Sequence, residues 1–317
     1  MRIHLDTDFA GDPDDACALA MVLGWPGAEL VGVTTTADPD GRRACYVRRL
    51  LEMLGSREVP VLPGAGKSTT TGGPMGDIVD HQRFWGDTPP PPVVGRPPVA
   101  DALGLIRTSL ASGSTVVAIG PYTNLALLER SRPGALSNAR VVAMGGWVLP
   151  FGEGYPHWRA ERDWNVACDT AAALALFESG ADLTFVPCAA AASAVLRTAD
   201  LPRLVASGRV GALLARQSIA HGENGAYSEL GRAHPALPDD LVNFHWDPVA
   251  CAAALGWSGV SVDDMELHPV LEGRVLRFEP RRGGRRTSVV TAVRGAAFTD
   301  VWLAAVERAQ VHRPTES

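Results

Sequence analysis

Short apolar runs alternate with helical patterns through the first two thirds of the chain, and that alternation narrows the fold choices most. Glu29–Thr36, Ser114–Gly120, Ala139–Gly146 and Asp182–Pro187 are apolar runs of strand length. Between them, Arg42–Leu54 carries Ala44, Val47, Leu50, Leu51 and Leu54 on one helical face. Asp101–Leu110, Thr123–Arg130 and Thr170–Glu178 show the same spacing. Strand and helix in this rhythm predict an α/β fold: a single domain, residues 1–317, with a mostly parallel central sheet covered by helices. Such a sheet binds its ligands beyond the carboxyl ends of its strands. Two stretches break the rhythm. Gly64–Pro98, rich in Gly, Pro and Thr, predicts a long surface loop; Ser218–Asp240, polar and bearing Gly and Pro, predicts a second mobile flap. A helix at Pro248–Leu255, a β-like tail holding "RVLRFE" and "SVVTAV", and a last helix at Ala297–Ala309 complete the pattern.

The most chemically loaded segment is "DTDFAGDPDD", Asp6 to Asp15, which follows the first apolar run. Asp6, Asp8, Asp12, Asp14 and Asp15 crowd five carboxylates into ten residues. Carboxylates this close repel one another, and a bound divalent cation relieves the repulsion. Hard oxygen ligands suit Ca²⁺ or Mg²⁺. A helix N-terminus accounts for Asp12 or Asp14 as cap or dipole partner, but not for Asp6, Asp8 and Asp15 together. An EF-hand loop fails, because its twelfth position falls on Cys17 or Leu19 instead of Glu. The D-x-D of "DTD" also fits a metal-dependent phosphatase, but Lys67, the sole lysine, lies in a Gly/Thr loop far from a suitable helix start.

The net charge of −6, without a cationic block, argues against nucleic acid or an anionic membrane as partner. Cys17, Cys45, Cys168, Cys188 and Cys251 are widely spaced, odd in number and form no C-x-x-C pair, against a disulfide framework or a zinc-thiolate site. Asp6 and Asp8 interrupt any apolar leader, and no run has the length of a membrane span, so a cytoplasmic enzyme is expected.

Five segments, "DTDFAGDPDDACAL", "VVAIGPYTNLAL", "ARVVAMGGW", "ERDWNVACDTAAA" and "WDPVACAAAL", occur in this order. Together they resemble the calcium-dependent nucleoside hydrolases, the inosine-uridine-preferring N-ribohydrolases. The resemblance implies one Ca²⁺ held by Asp8, Asp15, Asp247 and the backbone carbonyl of Thr123. It implies Asp8 as the base that takes a proton from the attacking water, and Asp14, Asp163 and Asn165 around the ribose. It places Trp164 and Trp246 as candidates to stack on substrate, His245 as an alternative contact to the base, and His81 near the substrate from a loop; His157 is weaker. It further implies a small-molecule nucleoside substrate and a homodimer or homotetramer. A ribosyl-binding paralogue without fast turnover is the other reading.

Three departures stand out. Trp246 occupies the position where purine-active members place His, and Asp163 stands where Glu is usual. The Gly-Asn pairs that follow the second strand and "MGG" in the family are replaced by "ADPDG" (Ala37–Gly41) and "GEGYPHW". The two altered Gly-Asn sites point to a modified nucleoside: 5′-modified, N-substituted or from specialised metabolism.

Overall fold

The computed structural model describes residues 1–88, 92 and 97–311. Eleven strands are described: β1 (Arg2–Thr7), β2 (Glu29–Thr35), β3 (Val61–Pro63), β4 (Thr115–Ala118), β5 (Arg140–Met144), β6 (Asp182–Val186), β7 (Val195–Arg197), β8 (Leu241–Phe244), β9 (Val260–Glu272), β10 (Val275–Pro280) and β11 (Arg285–Val293). The α-helices are α1 (Asp14–Gly24), α2 (Arg42–Met53), α3 (His81–Trp85), α4 (Val99–Ala111), α5 (Thr123–Ser131), α6 (Trp164–Cys168) and α7 (Thr170–Glu178). They continue with α8 (Cys188–Ala191), α9 (Leu201–Ala206), α10 (Arg209–Asn224), α11 (Tyr227–Ala233), α12 (Trp246–Ala254) and α13 (Gly295–Val311).

Nine strands form one sheet in the order β10-β9-β11-β6-β5-β4-β1-β2-β3. Seven of them, β11 to β3 in that order, pair in parallel; β9 and β10 extend the sheet antiparallel. The four strand runs expected from the sequence lie in the middle of this parallel block. They are buried on both faces, which is why they read as continuous apolar runs instead of alternating ones. β7 and β8 form a separate antiparallel pair that launches α12.

Helix α1 packs against α12 and α13. A Cβ on Gly24 would stand 1.8 Å from the Ala305 carbonyl oxygen, so the close approach of α1 to α13 needs glycine. The Trp302 indole donates to the Cys17 carbonyl at 3.1 Å and ties the chain's last helix to its first. Among the described residues, no helix is long and apolar enough to cross a membrane.

Ser218–Asp240 departs from the expected flap. Helix α10 runs on to Asn224, and α11 follows after two residues. Val210, Leu214, Gln217 and Ser218 are buried against the body of the protein; the polar residues that suggested a loop are the outer face of a helix. Part of the expected Gly64–Pro98 loop lies outside the described residues. Its described portion contains α3 and reaches the mouth of the cavity at Asp77.

Candidate active site

A cavity of about 560 Å³ opens at the carboxyl ends of β1, β4 and β5. Its floor is acidic. Asp8 follows β1, Asp14 and Asp15 open α1, and Asp247 lies in the first turn of α12, so residues from both ends of the chain converge. Helix N-termini stabilise negative charge. The packing of α1 on α12 brings two such ends together, and the Asp247 N–H donates to Asp14 Oδ2 at 3.2 Å.

This concentration of carboxylates strains their ionisation. Burial first, then the neighbouring Asp12 and other carboxylates, push Asp14 well above its ordinary range; burial and then Asp8 do the same for Asp15. Asp247 is raised by burial and by Asp15. Asp8 is raised to about 6, by burial against the opposing pull of Arg43. Oxygens of Asp12, Asp14 and Asp15 lie within 4.8 Å of one another. An all-oxygen cluster short of positive charge fits a hard cation, and this cluster can hold a metal ion.

Asp6 does not line the cavity. It sits fully buried beneath it, where Thr34 and the Asn124 amide (2.7 Å) donate to its Oδ1. Thr7 donates to Asp15. Asp8 accepts from the Trp164 indole N–H at 3.2 Å, and that indole lies 55% exposed across the mouth.

Asp163 and Asn165, at the start of α6, also line the cavity. Asp163 accepts from the Gly146 N–H at 2.7 Å and the Val166 N–H at 3.3 Å, while burial raises it to about 7. The Asn165 amide donates to the Ile119 and Met144 carbonyls, both at 3.0 Å. The cavity also has an aromatic wall. Phe151, Trp158, Tyr227, Phe244 and Trp246 line it. Phe244 and Trp246 stack with centroids 4.5 Å apart, and Trp158 meets both edge-on.

Four of the expected residues lie outside the cavity lining. His245 is corrected: it is fully buried and packs on Trp302, with ring centroids 4.4 Å apart. At the end of a strand, successive side chains face opposite ways. Phe244 and Trp246 therefore face the cavity, and His245 between them faces α13. Burial holds its imidazole down to about 3, so it is neutral. His81 opens α3, bonds to Tyr46 Oη at 2.8 Å and to the Thr88 carbonyl, and does not line the cavity. Thr123 opens α5, and its hydroxyl donates to Asp169 at 2.8 Å. Ile119, the first residue past β4, lines the cavity. His157 is exposed and outside the cavity.

Arg43 was not singled out from the sequence. Its guanidinium is buried and donates to the carbonyls of Ala37, Asp8, Phe9, Gly76 and Asp77. It thus joins the loops after β1 and β2 to the segment around residue 76. Asp38 caps the same helix by accepting from the Arg43 and Ala44 N–H groups, both at 3.0 Å. Asp38 belongs to the "ADPDG" departure, and Arg43 bonds to the carbonyl of its first residue, Ala37. The available signal was two arginines in the first turn of a helix, where the dipole disfavours cations. Asp12, His221, Arg162 and Glu161 also line the cavity.

Residues 3–309 match the family model described as inosine-uridine preferring nucleoside hydrolase. The chain belongs to this family. It is a nucleoside N-ribohydrolase, hydrolysing ribonucleosides to free base and ribose. The pyrimidine-specific ribonucleoside hydrolase RihA of Enterobacter sp. (strain 638) is 31% identical over 221 residues, covering 66% of this chain and 67% of that one. RihA of Salmonella schwarzengrund is 30% identical over 215 residues, with the same coverage. Among solved structures, the plant nucleoside hydrolase PpNRh1 superposes with a TM-score of 0.77 at 21% identity, covering 96% of this chain and 98% of that one. A purine-preferring ribonucleoside hydrolase from Gardnerella vaginalis gives 0.77 at 20% identity, covering 98% and 100%. These two share the nucleoside hydrolase fold with this chain.

Proposed function

We propose that this nucleoside hydrolase uses one Ca²⁺, with Asp8, Asp15, Asp247 and the Ile119 carbonyl as its protein ligands. The observation that carries this reading is the convergence of Asp8, Asp14, Asp15 and Asp247 on one buried floor. When bound, the ion supplies charge that lowers the pKa of a water and grips the vicinal hydroxyls of ribose. Asp8 takes the proton of the attacking water as its oxygen bonds to the anomeric carbon. The Trp164 indole N–H donates to Asp8 Oδ2 and helps fix the orientation of the carboxylate. Asp14, Asp163 and Asn165 hold the ribose hydroxyls. Each Asp163 oxygen already takes one backbone N–H and can accept a second donor.

The departing base leaves an oxocarbenium-like sugar, which the surrounding carboxylates stabilise. The base lies against Trp246, Phe244 and Trp158, where stacking is tolerant of ring type. His81 and His245 lie outside this chemistry. The altered "ADPDG" and "GEGYPHW" segments favour a ribonucleoside modified on its sugar. Assembly as a homodimer or homotetramer and a cytoplasmic location complete the proposal; light scattering tests the first. The decisive experiment screens nucleosides, 5′-modified ones included, for reducing-sugar release with and without Ca²⁺. Asp8→Ala should lower turnover by about three orders of magnitude or more. Undiminished turnover in that variant would refute the assignment.

A further inference from the structure

We propose that His221 and Tyr227 together deliver the proton taken up by the departing base, with the imidazole as source and the phenol as relay. The inference rests on the hydrolase reading above. It begins from a gap in that reading: a neutral base leaves poorly as an anion, and both histidines expected from the sequence lie outside the cavity.

Among the described residues, His221 is the histidine that lines the cavity. It sits in the last turn of α10, and its Nε2 lies 3.1 Å from Tyr227 Oη. The two rings meet edge-on at 5.4 Å, and Tyr227 meets Phe244 edge-on at 5.3 Å. Since Phe244 stacks on Trp246, the His221–Tyr227 pair continues the aromatic wall that faces the base. The seat for the phenol is specific. A Cβ on Gly225 would stand 2.5 Å from the Tyr227 ring. Asp12, also lining the cavity, is near enough for its carboxylate to raise Tyr227, after burial.

The division of labour follows from the groups. A phenol held above its ordinary range by burial and by Asp12 and Asp14 keeps its proton, so it does not serve as a net acid. A hydroxyl can, however, give one proton while receiving another. As the bond from the anomeric carbon to the base nitrogen breaks, the electron pair goes to the base. The Tyr227 hydroxyl proton passes to a base nitrogen or oxygen, and the His221 Nε2 proton replaces it. Water supplies the new bond to the anomeric carbon and leaves one proton on Asp8. Solvent then returns a proton to His221 and removes the one on Asp8, so the sum is nucleoside plus water to base plus ribose.

The test compares leaving groups. Wild type, Tyr227→Phe and His221→Gln are assayed on the best nucleoside of the panel and on 4-nitrophenyl β-D-ribofuranoside, whose nitrophenolate departs without a proton. Each variant should lose about 100-fold or more in kcat/KM on the nucleoside. On the nitrophenyl riboside the loss should stay within about threefold, because only the proton delivery is gone. Gly225→Ala, which displaces the phenol without removing it, should show the same split. Equal losses on both substrates would show a structural role and overturn the proposal, as would full nucleoside activity in both variants. A wild-type enzyme inactive on both substrates would instead sink the hydrolase reading, and the proposal with it.

Discussion

The cavity has two sides built in opposite ways. Its floor is acidic and comes mainly from one continuous segment, Asp8 to Asp15, completed by Asp247. Its wall is aromatic and is gathered from distant places: Phe151 and Trp158 before α6, Tyr227 on α11, Phe244 and Trp246 around the start of α12. The floor's carboxylates sit at strand ends and helix N-termini, where backbone geometry fixes them. The wall's rings hold one another, Trp158 on Phe244 and Phe244 on Trp246. Under the proposed reading, the contrast makes sugar chemistry and base selection separable. One depends on a rigid local motif; the other depends on how the helical segment between β7 and α12 packs.

The largest effect tests the floor. Asp247→Ala should abolish measurable base release and remove the rise in melting temperature that added Ca²⁺ produces in wild type. A variant that still melts higher with Ca²⁺ would move the metal away from Asp247. Chelation comes next: EDTA should stop base release in wild type, and excess Ca²⁺ should restore it. Trp246→Ala tests the wall. It should weaken substrate binding by about tenfold, the value of one aromatic stack, and should change the ranking of bases more than the preference for ribose. If ribose preference changes and base ranking does not, the two sides are not separable. His81→Ala should alter kcat/KM by less than about threefold, since its ring bonds to Tyr46 and Thr88 outside the cavity.

A separate effect concerns stability beneath the floor. His4 is fully buried between Ser109 (2.9 Å) and Thr34 (3.0 Å), and burial lowers its imidazole to about 3. Between that value and the ordinary 6.5, the unfolded chain binds a proton that the folded chain refuses. The stability this neutral ring contributes is therefore complete above pH 6.5 and falls as the pH drops toward 3, by up to about 1.4 kcal/mol per unit. His4→Gln should flatten that acid-side slope in urea unfolding. An unchanged slope would place the acid sensitivity in other groups.

Much of the floor was legible before any coordinates. The Asp8–Asp15 segment stands out because like charges rarely crowd so closely without a compensating ion. The parallel block was legible because doubly buried strands lose their alternation. Arg43 was harder: a buried cation serving five carbonyls looks, in sequence, like any surface arginine. His245 misled because a position two residues before Asp247 says nothing about which way a ring points. The expected flap at Ser218–Asp240 misled because an amphipathic helix with Gly at its end resembles a loop when its partner surface is unknown.

By itself, the sequence determined the α/β alternation, the acidic motif after the first strand and the resemblance those segments carry, because each is written in residues close along the chain. Tertiary structure decided which imidazole meets the cavity, that Ile119 and not Thr123 lines it, and how aromatic rings more than ninety positions apart form one wall. The reason is physical: local pattern reports backbone periodicity and charge density, whereas the facing of a side chain depends on packing partners that the chain meets only after folding.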